Sequence, residues 1–61
     1  METFEVTLIA DSDENLSWTF DTPTPVEALS EAYRASSRAS GVYSVWDLQD
    51  AHGMPLIEAT V

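Results

Sequence analysis

Apolar and polar residues alternate in two segments near the start of the chain. The first segment runs from Thr3 to Leu8 and the second from Leu16 to Phe20. A period of two places successive side chains on opposite faces of an extended backbone, so each segment predicts a half-buried β-strand. The polar residues between them, 10–15, predict the loop of a β-hairpin.

A helix-start signal follows the second strand. Thr24 suits an N-cap, Pro25 suits the first helical position, and Glu27 completes a Thr-x-x-Glu capping box. The pattern predicts a helix from Pro25 to about Ala39, and Gly41 is expected to stop it. The side of this helix that faces the core is predicted to carry Val26, Leu29, Ala32, Tyr33 and Ser36.

The last third of the chain predicts a second hairpin. Val42–Leu48 is rich in β-branched and aromatic residues, which favour a third strand. Asp50–Gly53 has the residues that a type I turn prefers, and Leu56–Val61 predicts the last strand, with Pro55 indicating a late start or an edge position. The fold class is therefore α+β: a ββαββ chain with a four-stranded, mainly antiparallel sheet and one helix packed on one face. Residues 1–61 form a single small domain, and the strand order stays open.

The register of the second hairpin decides which side chains the helix covers. Pairing its strands around residues 50–53 sets Trp46 beside Ile57 and Ser44 beside Ala59. In that register Trp46 faces the helix. A slip of one residue would exchange the two faces.

The same register predicts an apolar patch on the sheet face that the helix leaves uncovered. The patch holds Tyr43, Val45 and Leu56, with Ile9 beside them. Its predicted rim is acidic and consists of Glu5, Asp47 and Glu58. Apolar patches with polar rims often mark interaction sites. Scattered apolar residues are also normal on any protein surface, and the sequence leaves that alternative open.

Composition excludes several classes of function. The chain has 61 residues, no Cys and one His, so it cannot form a disulfide and lacks the ligands of the usual zinc sites. It has neither a Gly-x-Ser-x-Gly elbow nor a glycine-rich phosphate loop, and so small a core leaves little room for a ligand pocket. We therefore expect a binding protein and not an enzyme, with no cofactor and no metal.

Two further features concern the compartment in which the protein works. The absence of cysteine fits a cytoplasmic location. The acidic start of the chain is unlike a signal peptide, and no apolar run approaches the roughly 20 residues that span a bilayer. The sequence thus predicts a cytoplasmic protein that does not enter the membrane.

Charge points to the kind of partner. The chain has eleven Asp or Glu residues and only two Lys or Arg residues, which gives a net charge of −9. Such a chain repels nucleic acid and anionic lipid, so a basic protein surface is the natural partner, above all that of a nucleic-acid-binding protein. The acids expected to bind it are Glu5, Asp11, Asp13, Glu14, Asp47 and Glu58. The alternative, that the acids only keep the chain soluble, also stays open.

Two candidate cation sites are weaker. Residues 11–15 supply oxygens at the first, third and fifth positions of a calcium loop, but Leu16 stands where an EF-hand needs Gly and Thr22 where it needs Glu. An acidic hairpin tip is the favoured interpretation. His52 lies in the predicted turn and has no second His or any Cys with which to share a metal.

In size, acidity, lack of cysteine and ββαββ order, the chain resembles the small acidic inhibitors that phages and mobile elements encode, such as anti-CRISPR and DNA-mimic proteins. This resemblance implies a target that holds nucleic acid with Lys and Arg, and competitive blocking of that target. No motif carries the resemblance, so it assigns no residue a role. The alternative function is a structural or self-assembling protein, either a homodimer or a subunit of a larger particle, built on the apolar sheet face.

Overall fold

The structure is a computed structural model that describes residues 2–37, 40–49 and 53–61. Its elements are β1 (Glu2–Ile9), β2 (Asn15–Thr22), α1 (Pro25–Ala35), β3 (Val42–Asp47) and β4 (Ile57–Thr60). The strands form one sheet in the order β2-β1-β3-β4, in which every neighbouring pair is antiparallel. The predicted α+β fold, with four strands in one open sheet and a single helix, is confirmed.

Helix α1 begins where the sequence predicts. The Thr24 hydroxyl accepts a hydrogen bond from the Glu27 amide at 3.3 Å, and proline occupies the first turn. The helix ends at Ala35, earlier than the predicted end, and Ser36 is extended while its amide still bonds to the Ala32 carbonyl at 2.9 Å. Serine favours non-helical backbone because its hydroxyl competes for backbone partners. Residues 38 and 39 of the predicted helix lie outside the described residues.

The core lies between α1 and one face of the sheet. Alanines at the contact let the helix approach the strands closely, and the Tyr33 ring packs against the Tyr43 ring with centroids 4.3 Å apart. The fully buried side chains come from β1, α1 and β3: Phe4, Val6, Leu8, Ala28, Ala32, Tyr43 and Val45. These seven side chains form the buried core that stabilises the fold, and further apolar side chains pack partly against it: Leu16, Trp18, Phe20, Leu29 and Ile57.

The predicted core side of the helix is partly wrong. Val26 is 60% exposed, while Ala28, which the prediction omitted, is fully buried. Successive helical residues turn by about 100°, so Val26 lies about 200° from Ala28 and points away from the sheet. Ala32 is buried as predicted, and Leu29 packs partly against the core.

The predicted register of β3 is wrong by one residue. Val45 pairs with Ile57 and Tyr43 with Ala59, so the predicted Trp46–Ile57 and Ser44–Ala59 pairs do not form. A long connection between β3 and β4 explains the error, because only tight turns fix the register of a hairpin. The predicted turn residues 50–52 lie outside the described residues.

The register with the central strand settles the faces of β3. Tyr43 lies beside Leu8, and Val45 lies beside Val6. Both β3 side chains are therefore under the helix and are 0% exposed. Their predicted place on the uncovered face is wrong. On the helix side the two side chains remove more apolar surface from water than they would on the open side.

Gly41 marks the point where the chain enters β3. Its φ of +132° is unfavourable for other residues, and an added Cβ would lie 2.4 Å from the Ile9 carbonyl oxygen. The Gly41 amide and carbonyl each hydrogen-bond to Val61 at 2.9 Å. Only glycine fits this approach. Gly41 thus lies close to the end of β1 and hydrogen-bonds to the residue that follows β4.

Candidate protein-binding surface

The sheet has one face that no described element covers, which we call the open face. Alternation along the paired strands assigns to it the odd-numbered residues of β1 and β2 and the even-numbered residues of β3 and β4. Its members are Thr3, Glu5, Thr7, Ile9, Asn15, Ser17, Thr19, Asp21, Val42, Ser44, Trp46, Glu58 and Thr60. The open face is therefore mostly polar, with a few apolar side chains among hydroxyls and carboxylates.

The apolar side chains of the open face form two groups. One group is Trp46, which is half-buried and lies beside Glu5. Leu56, 50% exposed, precedes β4 and donates its amide to the Val45 carbonyl at 2.7 Å, so the alternation of β4 does not extend to it. At the other end of the face Ile9, 52% exposed, lies beside Val42. A polar row separates the two groups, and it consists of Ser17, Thr7, Ser44 and Glu58. A shallow cleft of about 360 Å³ extends between Trp46 and Ile9.

The predicted patch thus exists in a different form. Ile9 lies on the open face as predicted, whereas Tyr43 and Val45 do not. Sequence reasoning missed Trp46 and Val42 as open-face residues, because the register slip had assigned both to the core. The pattern of β3 offers no correction, since apolar residues occur at both alternating positions of Val42–Asp47.

Three carboxylates lie on the open face. Asp21 accepts a hydrogen bond from the Thr3 hydroxyl, and it is a diagonal neighbour of Glu5, which implies a separation of about 7–8 Å. Glu58 lies two strands from Glu5, so strand spacing places it about 12 Å away. Asp47 is not part of this set. It pairs with Phe4 on the helix side, and its carboxylate accepts from the Gln49 amide at 2.9 Å, so its predicted place in the open-face rim is wrong.

The remaining predicted acids lie at the β1–β2 turn, which we call the acidic tip: Asp11, Asp13 and Glu14. The Asp13 amide donates to the Ala10 carbonyl and the Ala10 amide to the Glu14 carbonyl, both at 2.9 Å. Asp13 has a φ of 65°, in the left-handed region that short hairpin loops require. Among the described residues, no group of three or more His, Cys, Asp or Glu side chains is arranged to hold a metal ion.

The charge of the open face is wholly negative over the described part of the chain. Arg34 is the one Lys or Arg side chain there, and it lies on the helix, where it forms a 3.0 Å salt bridge with Glu31. Both side chains of that pair are well exposed, so it contributes little to stability. A ligand that approaches the open face therefore meets carboxylates, hydroxyls and apolar groups, and no Lys or Arg of the described residues.

A second groove lies on the helix side, between α1 and the edge strand β2. It has a volume of about 440 Å³ and is lined by Phe20, Asp21, Thr22, Glu27, Ser30, Glu31 and Arg34. Sequence reasoning did not find this groove, because it depends on β2 being an edge strand. The only sequence signals related to this groove are the alternation of β2 and the acidic first turn of α1.

Across 2–37, 40–49 and 53–61, no helix is both long enough and apolar enough to cross a bilayer. No protein-family model matches the sequence, and neither a curated protein nor a solved structure matches the chain.

Proposed function

We propose that this chain is an acidic protein-binding module whose open face binds a basic surface on a partner, in particular the surface with which a nucleic-acid-binding protein holds its nucleic acid. The observation that carries the proposal is the combination of Trp46 with Glu5 and Glu58 on one face, on which the described residues place no Lys or Arg. Tryptophan is among the commonest energetic anchors of protein interfaces, and rim charges speed association.

The shape of the molecule suits such an interface. Its principal extents are 31 × 23 × 14 Å, so its broad side measures about 700 Å². An interface of standard size buries about 800 Å² on each partner. The open face is therefore large enough for specific binding when nearly all of it is used.

The charge supports surface blocking more than imitation of a full duplex. A DNA duplex of 31 Å carries about 18 charges at one per ~1.7 Å, whereas the whole chain has a net charge of −9. Glu27 and Glu31 lie on the helix side, away from the open face. The open-face carboxylates and the acidic tip would pair with some of the target's Lys and Arg while the apolar anchors exclude water, and nucleic acid would then be displaced competitively.

The test compares charge reversals on the two sides of the sheet. Bait carrying Glu58→Lys or Glu5→Lys is expected to lose the proteins that the unchanged chain captures from a lysate at low salt. Bait carrying Glu2→Lys, a matched reversal on the helix side of β1, is expected to keep them. Elution below about 500 mM salt and displacement by added duplex DNA are expected for a charge-led, competitive complex. Equal losses from all three reversals, or capture that salt and DNA leave unchanged, would rule out the open face as a charge-led site.

A second candidate function is self-association through the same face, which the exposed side chain of Ile9 favours. Its carboxylates would repel those of a second copy at low salt, so we expect a monomer of 6.7 kDa by light scattering. A dimer that Trp46→Ser converts to a monomer would establish self-assembly instead.

A further inference from the structure

We propose that the free edge of β2 accepts an extended segment of a partner protein, in which Lys or Arg alternates with apolar residues, as a fifth strand beside α1. This site lies at the edge and on the helix side of the sheet, so it goes beyond the open-face function and does not depend on it. Three observations carry the proposal: the direction of the β2 backbone groups, the composition of the edge, and the acidic groove next to it.

The outer backbone groups of β2 point away from β1. Hydrogen-bonded and non-hydrogen-bonded pairs alternate along an antiparallel ladder. Because Ala10 bonds to Glu14, the next bonded pairs are Leu8–Leu16, Val6–Trp18 and Phe4–Phe20. The amides and carbonyls directed outward therefore belong to Asn15, Ser17, Thr19 and Asp21. Within the described part of the chain, the structure shows no partner for these groups.

The composition of β2 leaves its edge open to pairing. Natural sheets protect their edges with short strands, prolines, charges or bulges. Strand β4, the other edge, has four residues, includes Glu58 and follows Pro55. Strand β2 has eight residues, is paired with β1 without a bulge, and carries neither charge nor proline before Asp21. An added strand along residues 15–21 would extend over about 20 Å, which needs about seven residues.

The groove beside β2 determines the chemistry of the added strand. Every second side chain of that strand would point toward α1, into the groove that Phe20, Glu27 and Glu31 line. Phe20 offers an apolar contact and the two glutamates favour a cation, while Arg34 offsets one of them. Strand addition of this kind takes its affinity from backbone hydrogen bonds and its specificity from alternate side-chain pockets.

A second copy of the chain fits this edge poorly. Antiparallel pairing of two β2 strands about Trp18 would place Asn15 opposite Asp21, and so bring each acidic tip toward Asp21 of the other copy. It would also set the Glu27 and Glu31 side chains of the two helices toward each other. Such like-charge contacts are unfavourable, and β2 itself contains no cation to relieve them. Charge complementarity therefore selects a cationic segment.

The test uses a synthetic peptide of about seven residues in which valine and lysine alternate, added to the ¹⁵N-labelled full chain at low salt. Binding is expected to shift the amide signals of Ser17, Thr19 and Asp21 and to slow their hydrogen exchange. A matched peptide with glutamate in place of lysine is expected to bind at least about tenfold more weakly. Shifts confined to the open face, equal binding of both peptides, or no saturable binding would overturn the proposal.

Two variants distinguish peptide binding at the β2 edge from binding elsewhere on the molecule. Thr19→Pro removes an outward amide and leaves the ladder with β1 intact, so it is expected to abolish peptide binding in a chain whose circular dichroism is unchanged. The double variant Glu27→Gln with Glu31→Gln keeps the backbone edge. It is expected to weaken binding of the lysine peptide by about tenfold without unfolding the chain. Glu58→Lys, which tests the open face, is expected to leave peptide binding in place. Loss of binding in that variant alone would contradict an edge site.

Discussion

The same strands build two faces of the sheet that differ in almost every physical property. On the helix-covered face Val6, Leu8 and Val45 are completely shielded from water. On the open face the next residues along the same strands are Thr7, Ile9 and Trp46, which remain half-buried or exposed. One residue along a strand therefore separates a position that determines folding from one that is free to serve recognition.

This division matters more in a small domain than in a large one. A chain of this size has a net stability of only about 3–5 kcal/mol. The loss of one fully buried side chain costs about as much as that total. Substitutions at exposed positions of the open face, by contrast, are expected to change its chemistry at little cost in stability.

The largest expected effect comes from placing the same charge on each face. Val6→Lys buries an ammonium group without a partner at the centre of the core, and it is expected to unfold the chain because the cost exceeds about 3–5 kcal/mol. Thr7→Lys, on the next residue, is expected to change the free energy of unfolding by about 1 kcal/mol or less. Urea denaturation followed by circular dichroism measures both. Equal destabilisation would show that the open face is also part of the core.

A smaller effect is expected from shortening the two aromatic side chains of β3. Tyr43→Ala removes a buried ring and its contact with Tyr33, and it is expected to cost about 3–5 kcal/mol. Trp46→Ala removes a half-buried ring from the uncovered face and is expected to cost about 1–2 kcal/mol. The denaturation midpoint of each variant tests the order, and a larger loss for Trp46→Ala would reverse the assignment of the faces.

The smallest expected effect lies at the acidic tip, which belongs to neither face. Asp13 adopts a left-handed backbone that glycine takes without strain, so Asp13→Gly is expected to stabilise the chain by about 0.5–1 kcal/mol. Asp13→Ala removes the same carboxylate but keeps the strain. It is therefore expected to destabilise the chain or leave it unchanged in thermal melts. Equal stabilisation by both variants would indicate that charge repulsion, and not backbone geometry, limits the tip.

Local signals in the sequence predicted the elements well. The alternation of β1 and β2 and the capping box from Thr24 to Glu27 each depend on residues within one element, and the structure confirms them. The end of α1 was predicted too late, because serine weakens a helix without forbidding it. Glu5 and Glu58 also lie on the open face where alternation predicted them, and the acids of the tip lie in the predicted loop.

The faces of β3 could not be predicted in the same way. Val42, Tyr43, Val45 and Trp46 place apolar side chains at both alternating positions, so either face could have become the buried one. Pairing with β1, a strand more than thirty positions away in the sequence, decides between them. The groove beside β2 was likewise hidden, since alternation does not reveal which strands form the edges of a sheet.

The opposite orientations of the two tryptophans have a practical consequence. Trp18 pairs with Val6 and lies on the helix side of the edge strand, whereas Trp46 lies on the open face. The chain thus contains two tryptophan fluorophores, one beside each proposed binding surface. In a Trp46→Phe variant the emission reports on the β2 edge, and in a Trp18→Phe variant it reports on the open face. A ligand can therefore be assigned to a surface by the emission that it shifts, without any attached label.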